Sequence, residues 1–117
     1  MSESRPLHPE PSRELSKLRR ELAPTIDDAW NAFGRAVFAE GALDKKTKQI
    51  IAVAVAHVTQ CAYCIRGHVK AARREGASER ELMEAIWVAA EIRAGGAFAH
   101  SVVALDEMHE HAGPSGG

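Results

Sequence analysis

The run Ile50–Ala56 is apolar at every position, and Val58 extends it beyond His57. A strand this apolar needs a buried sheet to enter, and no other segment alternates apolar and polar residues well enough to supply one. The run is therefore read as helical. Such a helix is apolar on nearly every face and must be buried all round. A chain of 117 residues has room for one domain and difficulty surrounding a helix completely. The expectation is that a subunit interface completes the burial and that the protein is a homo-oligomer.

Composition points the same way. Apolar residues make up 45% of the chain, enough for a core, while aromatics make up only 5%. An alanine-rich chain poor in aromatics favours tightly packed helices over sheets. The fold class expected is all-α, a compact bundle of about five to six helices. Pro6, Pro9 and Pro11 mark residues 1–12 as a flexible arm. The helical domain spans 13–111, and 112–117 form a flexible glycine-containing tail.

Within the domain, a helix over 13–22 stops before Pro24. A second starts near Thr25 as its cap, carries Asp27 and Asp28 in its first turn, and runs to about Glu40 before Gly41. Asp44 caps a third that reaches about Gln60. A fourth runs from about Cys61 to Glu75, closed by Gly76. Ser78-Glu79-Arg80-Glu81 reads as a capping box opening a fifth. Gly95-Gly96 should break it, leaving a sixth from about Ala97 to His109.

The formal net charge of −1 provides no basic excess to coat a phosphate backbone, so nucleic acid is not an expected partner. The N-terminus lacks a signal-peptide pattern, and no uninterrupted apolar run is long enough to cross a bilayer. A cytoplasmic location and no membrane partner are expected. In that compartment a pair of cysteines is more often catalytic, redox-active or metal-binding than structural.

The chemistry-bearing segment is Cys61-Ala62-Tyr63-Cys64-Ile65-Arg66-Gly67-His68. On a helix, Cys61, Cys64, Ile65, His68, Ala71 and Ala72 share one face, and Arg66, Lys70, Arg73 and Arg74 lie opposite. Thiols at a helix N-terminus meet the positive end of the dipole and unpaired N–H groups, which favour thiolate. His68 lies one turn beyond Cys64, within reach of its proton. The two cysteines are close enough to bond. A purely structural disulfide fits poorly, since so short a loop removes little unfolded-chain entropy. Cysteines acting only as small buried hydrophobes are another reading. Zinc is a third, because His57, Cys61, Cys64 and His68 form a legitimate tetrahedral set. His57 alone reads as a hydrogen-bonded core histidine that could tune Cys61. Trp30 and Trp87 read as core or interface residues.

The stretch from Thr47 to Ser101 resembles the alkylhydroperoxidase D and carboxymuconolactone decarboxylase superfamily. The resemblance rests on Ile50–His57, on Cys61–His68 and on Glu84-Ala85-Ile86-Trp87-Val88-Ala89-Ala90-Glu91. It implies an all-α fold assembling into trimers or hexamers, and a peroxidase or disulfide-reductase activity. It further implies Cys64 as the peroxidatic residue, Cys61 as the resolving one and His68 as part of a proton relay. The peroxidase pattern carries a glutamate where this chain has Gln49, which can hold a histidine but cannot exchange a proton. Glu91 could stand in as a relay acid, although it shares a face with Arg80 and Glu84 that reads as solvated surface; Glu40 has less to recommend it.

The expected cycle takes Cys64 thiolate to a sulfenic acid, condenses it with Cys61, and regenerates the pair through an external dithiol or protein reductant. That reductant is expected to attack Cys61, the more exposed sulfur if it sits at the helix start. No motif suggests an organic cofactor. The alternatives are a general disulfide oxidoreductase with weak peroxidase activity and a zinc-binding structural protein.

Overall fold

The computed structural model describes residues 5–110. The first four residues of the expected arm, His111 and the expected tail fall outside them. Helices α1 (Arg13–Leu22), α2 (Pro24–Phe38), α3 (Lys45–Thr59), α4 (Ala62–Arg74) and α5 (Glu79–Glu110) follow in order, with no strand among the described residues. The all-α expectation holds. The chain divides into two units, one reaching to Lys48 and the other beginning at Gln49.

In the first unit, Ser12 caps α1 by accepting from the Leu15 N–H at 3.1 Å. Helix α2 begins at Pro24, with no side-chain cap, rather than being capped by Thr25. Proline suits a first turn, where its missing N–H costs nothing and its fixed φ is already helical. Arg20 reaches Asp28 through two hydrogen bonds of 3.1 and 3.2 Å, an exposed fork that joins α1 to α2. Helix α2 ends at Phe38, short of the expected Glu40. Lys48 explains the early stop: its ammonium donates to the carbonyls of Val37 at 2.8 Å and Ala39 at 2.7 Å. A cation on the last carbonyls satisfies groups that a longer helix would otherwise have bonded.

Glu40 is thereby released for another task, accepting from the Lys45 N–H at 2.8 Å. Asp44 caps α3 as expected, accepting from the Thr47 N–H at 2.7 Å. Hydrogen bonds from the Thr47 side chain and backbone, with the nearby Lys46 charge, hold the Asp44 carboxyl below its ordinary range.

In the second unit, Val53, Ala72, Ala77 and Leu82 form the buried centre, with Ile50, Val69 and Ile86 packed against it. Helix α4 ends where Gly76 takes φ +91°, the left-handed conformation that glycine adopts without a Cβ clash. The Ala77 N–H then returns to the Ala72 carbonyl at 2.9 Å and the Gly76 N–H to Arg73 at 3.0 Å, a Schellman turn. The capping box follows, with reciprocal bonds between Ser78 and Glu81 of 2.9 and 3.0 Å.

The expected break at Gly95-Gly96 does not occur: α5 is one helix of 32 residues. Each helical glycine costs about 1 kcal/mol relative to alanine, and neither Gly95 nor Gly96 adopts positive φ. Arg93, Ala94 and Ala97 around them are good helix formers, so continuing costs less than stopping and capping two new ends.

Much of the apolar surface of the described residues is exposed. On α3 only Val53 and Ala56 are buried, while Ile51 and Val55 stay 45% and 51% exposed. On α5, Trp87 is 67% and Phe98 82% exposed. Trp30 also lies outside the chain's core. One 18-residue stretch of α5 has a mean hydropathy of 1.2, so length and composition alone would let this helix cross a membrane. Glu91 and Arg93 interrupt the stretch, so it contains no long uninterrupted apolar run.

Candidate functional site at the junction of α3 and α4

Two backbone devices hold the cysteine pair at the α3–α4 junction. Helix α3 closes with Gln60 at φ 60°, left-handed although it is not glycine. The Cys61 N–H reaches back to the Ala56 carbonyl at 3.2 Å, the same turn that ends α4. The Gln60 side-chain amide adds a 2.6 Å bond to the His57 carbonyl, satisfying another helix-end acceptor. The chain reverses there and α4 starts at once, with Cys61 as its N-cap. The Cys61 sulfur accepts from the Cys64 N–H at 3.2 Å, and the Cys61 carbonyl from the Ile65 N–H at 2.9 Å.

Cys61 and Cys64 form a disulfide, their Cα atoms 5.2 Å apart. Cys64 is exposed and Cys61 half-buried. This reverses the expectation that Cys61 presents the more accessible sulfur. Cys61 directly follows the left-handed Gln60 and bonds back to Ala56, whereas Cys64 lies in the first turn of α4. Behind them, Ile65 and His68 are half-buried and Ala72 is buried, whereas Arg66, Lys70, Arg73 and Arg74 meet solvent. Apart from Cys64, the expected division of helix faces is observed.

His68 is held by Gln49. The ring Nδ1–H donates to the Gln49 side-chain carbonyl at 2.7 Å, joining residues 19 apart in sequence across α3 and α4. An amide oxygen only accepts, so Nδ1 carries the hydrogen and Nε2 is the ring's basic nitrogen. One turn of helix separates His68 from Cys64. The constellation thus brings a disulfide, an imidazole and the side-chain amide that holds it to one helix junction.

Other candidates lie elsewhere. His57 turns its Nδ1 to the Val53 carbonyl of its own helix at 2.7 Å. Among the described residues no three His, Cys, Asp or Glu side chains are placed to hold a metal ion. The His57, Cys61, Cys64 and His68 set does not assemble as a zinc site: the sulfurs bond each other and the imidazoles serve α3. Glu91 is exposed on α5 and takes no part in the Gln49–His68 pair. Sequence reasoning missed Gln60, whose left-handed turn has no compositional signal. It also missed Arg93, which donates to the Val58 carbonyl at 3.3 Å from 35 residues away and ties α5 to the end of α3.

The carboxymuconolactone decarboxylase family model matches residues 24–107. The chain belongs to this family. A protein of Paracoccus denitrificans known as uncharacterized protein 4 in the cox locus is 61% identical over 102 residues, covering 87% of this chain and 91% of that protein. A carboxymuconolactone decarboxylase family protein from Legionella pneumophila, solved in its apo form, superposes with a TM-score of 0.64. It is 33% identical, with 83% of this chain and 86% of that one covered. A family member from Thermotoga maritima, described as a candidate participant in an antioxidative response, gives a TM-score of 0.56. Its identity is 28%, with 75% of this chain and 94% of that one covered. These similarities confirm the family expected from the cysteine motif and its helical flanks.

Proposed function

We propose that this family member is a thiol-dependent hydroperoxide reductase that cycles through the Cys61–Cys64 disulfide. The observation that carries the reading is that disulfide at the mouth of α4, one turn from an imidazole held by Gln49. Family membership and the antioxidative association of the Thermotoga relative support it.

In the forward half-cycle His68 takes the Cys64 proton on Nε2. The thiolate attacks the terminal, hydrogen-bearing oxygen of a hydroperoxide, the O–O bond breaks, and the alkoxide leaves with the proton from His68 as an alcohol. Cys64 is now a sulfenic acid. Cys61 thiolate attacks its sulfur, forms the disulfide and expels hydroxide, which is released as water. An external dithiol restores both thiols. Gln49 keeps His68 in the tautomer this sequence needs but takes up no proton itself.

That same amide favours a second reading, a general disulfide oxidoreductase with weak peroxidase activity. Turnover of an alkyl hydroperoxide and of a model disulfide, each with dithiothreitol as reductant, separates the two. Faster peroxide turnover supports the reductase. Disulfide exchange without peroxide consumption selects the second reading, and inertness toward both removes the enzyme reading. The uncovered apolar faces of α3 and α5 are assigned to self-association as a trimer or hexamer, in the cytoplasm.

A further inference from the structure

The geometry points to a fixed polarity in the disulfide: an incoming reductant thiolate attacks the sulfur of Cys64, and Cys61 departs as the thiolate. This inference rests on the reading of Cys61 and Cys64 as a working redox pair.

Two independent observations carry it. The first is access. Cys64 is exposed and Cys61 half-buried, and exchange requires the nucleophile to approach in line with the bond it breaks. The second is the fate of the leaving group. The Cys61 sulfur caps α4 and already accepts from the Cys64 N–H at 3.2 Å. When the bond opens, charge develops on a sulfur that faces a backbone donor at the positive end of α4. Exchange is faster when the leaving thiolate is the more stable one. Cys64 lies within the first turn, and its own N–H is the group engaged by Cys61. Access and leaving-group stability therefore select the same direction.

The step balances with a dithiol as the reductant. Its first thiolate bonds to the Cys64 sulfur, and the electron pair of the broken S–S bond goes to Cys61. The second thiol of the reductant, deprotonated, then attacks its own sulfur in the mixed disulfide and expels Cys64 thiolate. The reductant ends as a cyclic disulfide, two electrons poorer, and the protons it lost reside on Cys61 and Cys64. Cys64 thus meets both outside reactants, peroxide and reductant, while Cys61 only resolves and leaves.

A monothiol stops the exchange at its first product. Oxidised full-length protein is mixed briefly with glutathione and quenched with excess N-ethylmaleimide. It is then cleaved after Tyr63, which places the two cysteines on different peptides for mass spectrometry. The expected result is glutathione on Cys64 and maleimide on Cys61, in roughly tenfold excess over the reverse pattern at the shortest times. Glutathione on Cys61, or an even division, overturns the polarity and leaves the redox reading intact. A disulfide that forms no adduct with glutathione and is not reduced overturns both.

Discussion

The Nδ1–H of His68 donates to the side-chain carbonyl of Gln49 at 2.7 Å, binding α4, which carries the cysteine motif, to α3. With the amide oxygen as acceptor, the contact places a ring hydrogen on Nδ1. An amide orients the ring but takes up no proton itself. Gln49→Glu supplies an ionisable partner in the same place. The expected outcome is a higher rate of peroxide turnover, read in a coupled assay with a dithiol; an unchanged rate removes the missing carboxylate as the limitation. His68→Ala should lower turnover by about 10²-fold or more, the usual contribution of a positioned acid–base group.

The two cysteines should fail differently. Cys64→Ser is expected to abolish peroxide consumption, because it removes the sulfur assigned to attack the O–O bond and leaves only the half-buried resolving Cys61. Cys61→Ser should allow a single oxidation and then stall, leaving a sulfenic acid on Cys64 that a dimedone probe labels. Full activity in Cys64→Ser would refute the assignment of the peroxidatic sulfur.

Asp44 makes stability sensitive to acid. Its carboxyl sits below the ordinary carboxylate range because Thr47 hydrogen-bonds the charged form. A carboxyl depressed in the folded state contributes stability that is fully present above its unfolded value. That contribution is lost as pH falls through the lower folded value. Thermal melts of the wild type should therefore lose part of their advantage over Asp44→Ala on acidification below about pH 4. Asp44→Asn, which can cap without ionising, should melt close to the wild type at neutral pH.

Val53 is fully buried at the centre of the second unit. Val53→Ala removes two methyl groups and should destabilise the fold by about 2 kcal/mol in urea denaturation, with the disulfide still able to form.

The uncovered faces of α3 and α5 make the oligomer testable. Light scattering at micromolar concentration should give a trimer or hexamer, and Trp87→Glu should shift the protein toward smaller species because it places a charge in an apolar contact. A monodisperse wild-type monomer would contradict self-association, and a protein that requires detergent to leave the membrane fraction would assign those faces to lipid.

Local signals along the chain were enough for much of this architecture. The capping residues Asp44 and Ser78, the left-handed glycine at position 76 and the cysteines with His68 all act within a few residues of their partners. Such pairings depend on helical spacing, so sequence alone settled the all-α class, the junction at Cys61 and the family. The tertiary structure decided what depends on atoms distant in sequence. Lys48 ends α2 earlier than its own residues imply, and Gln49 chooses the tautomer of His68. The continuity of α5 through Gly95 and Gly96 was a balance of small terms that composition does not resolve. Most consequential is the exposure of Cys64 over Cys61. Periodicity assigns both residues to one face, but their unequal burial depends on what the rest of the chain packs against each of them.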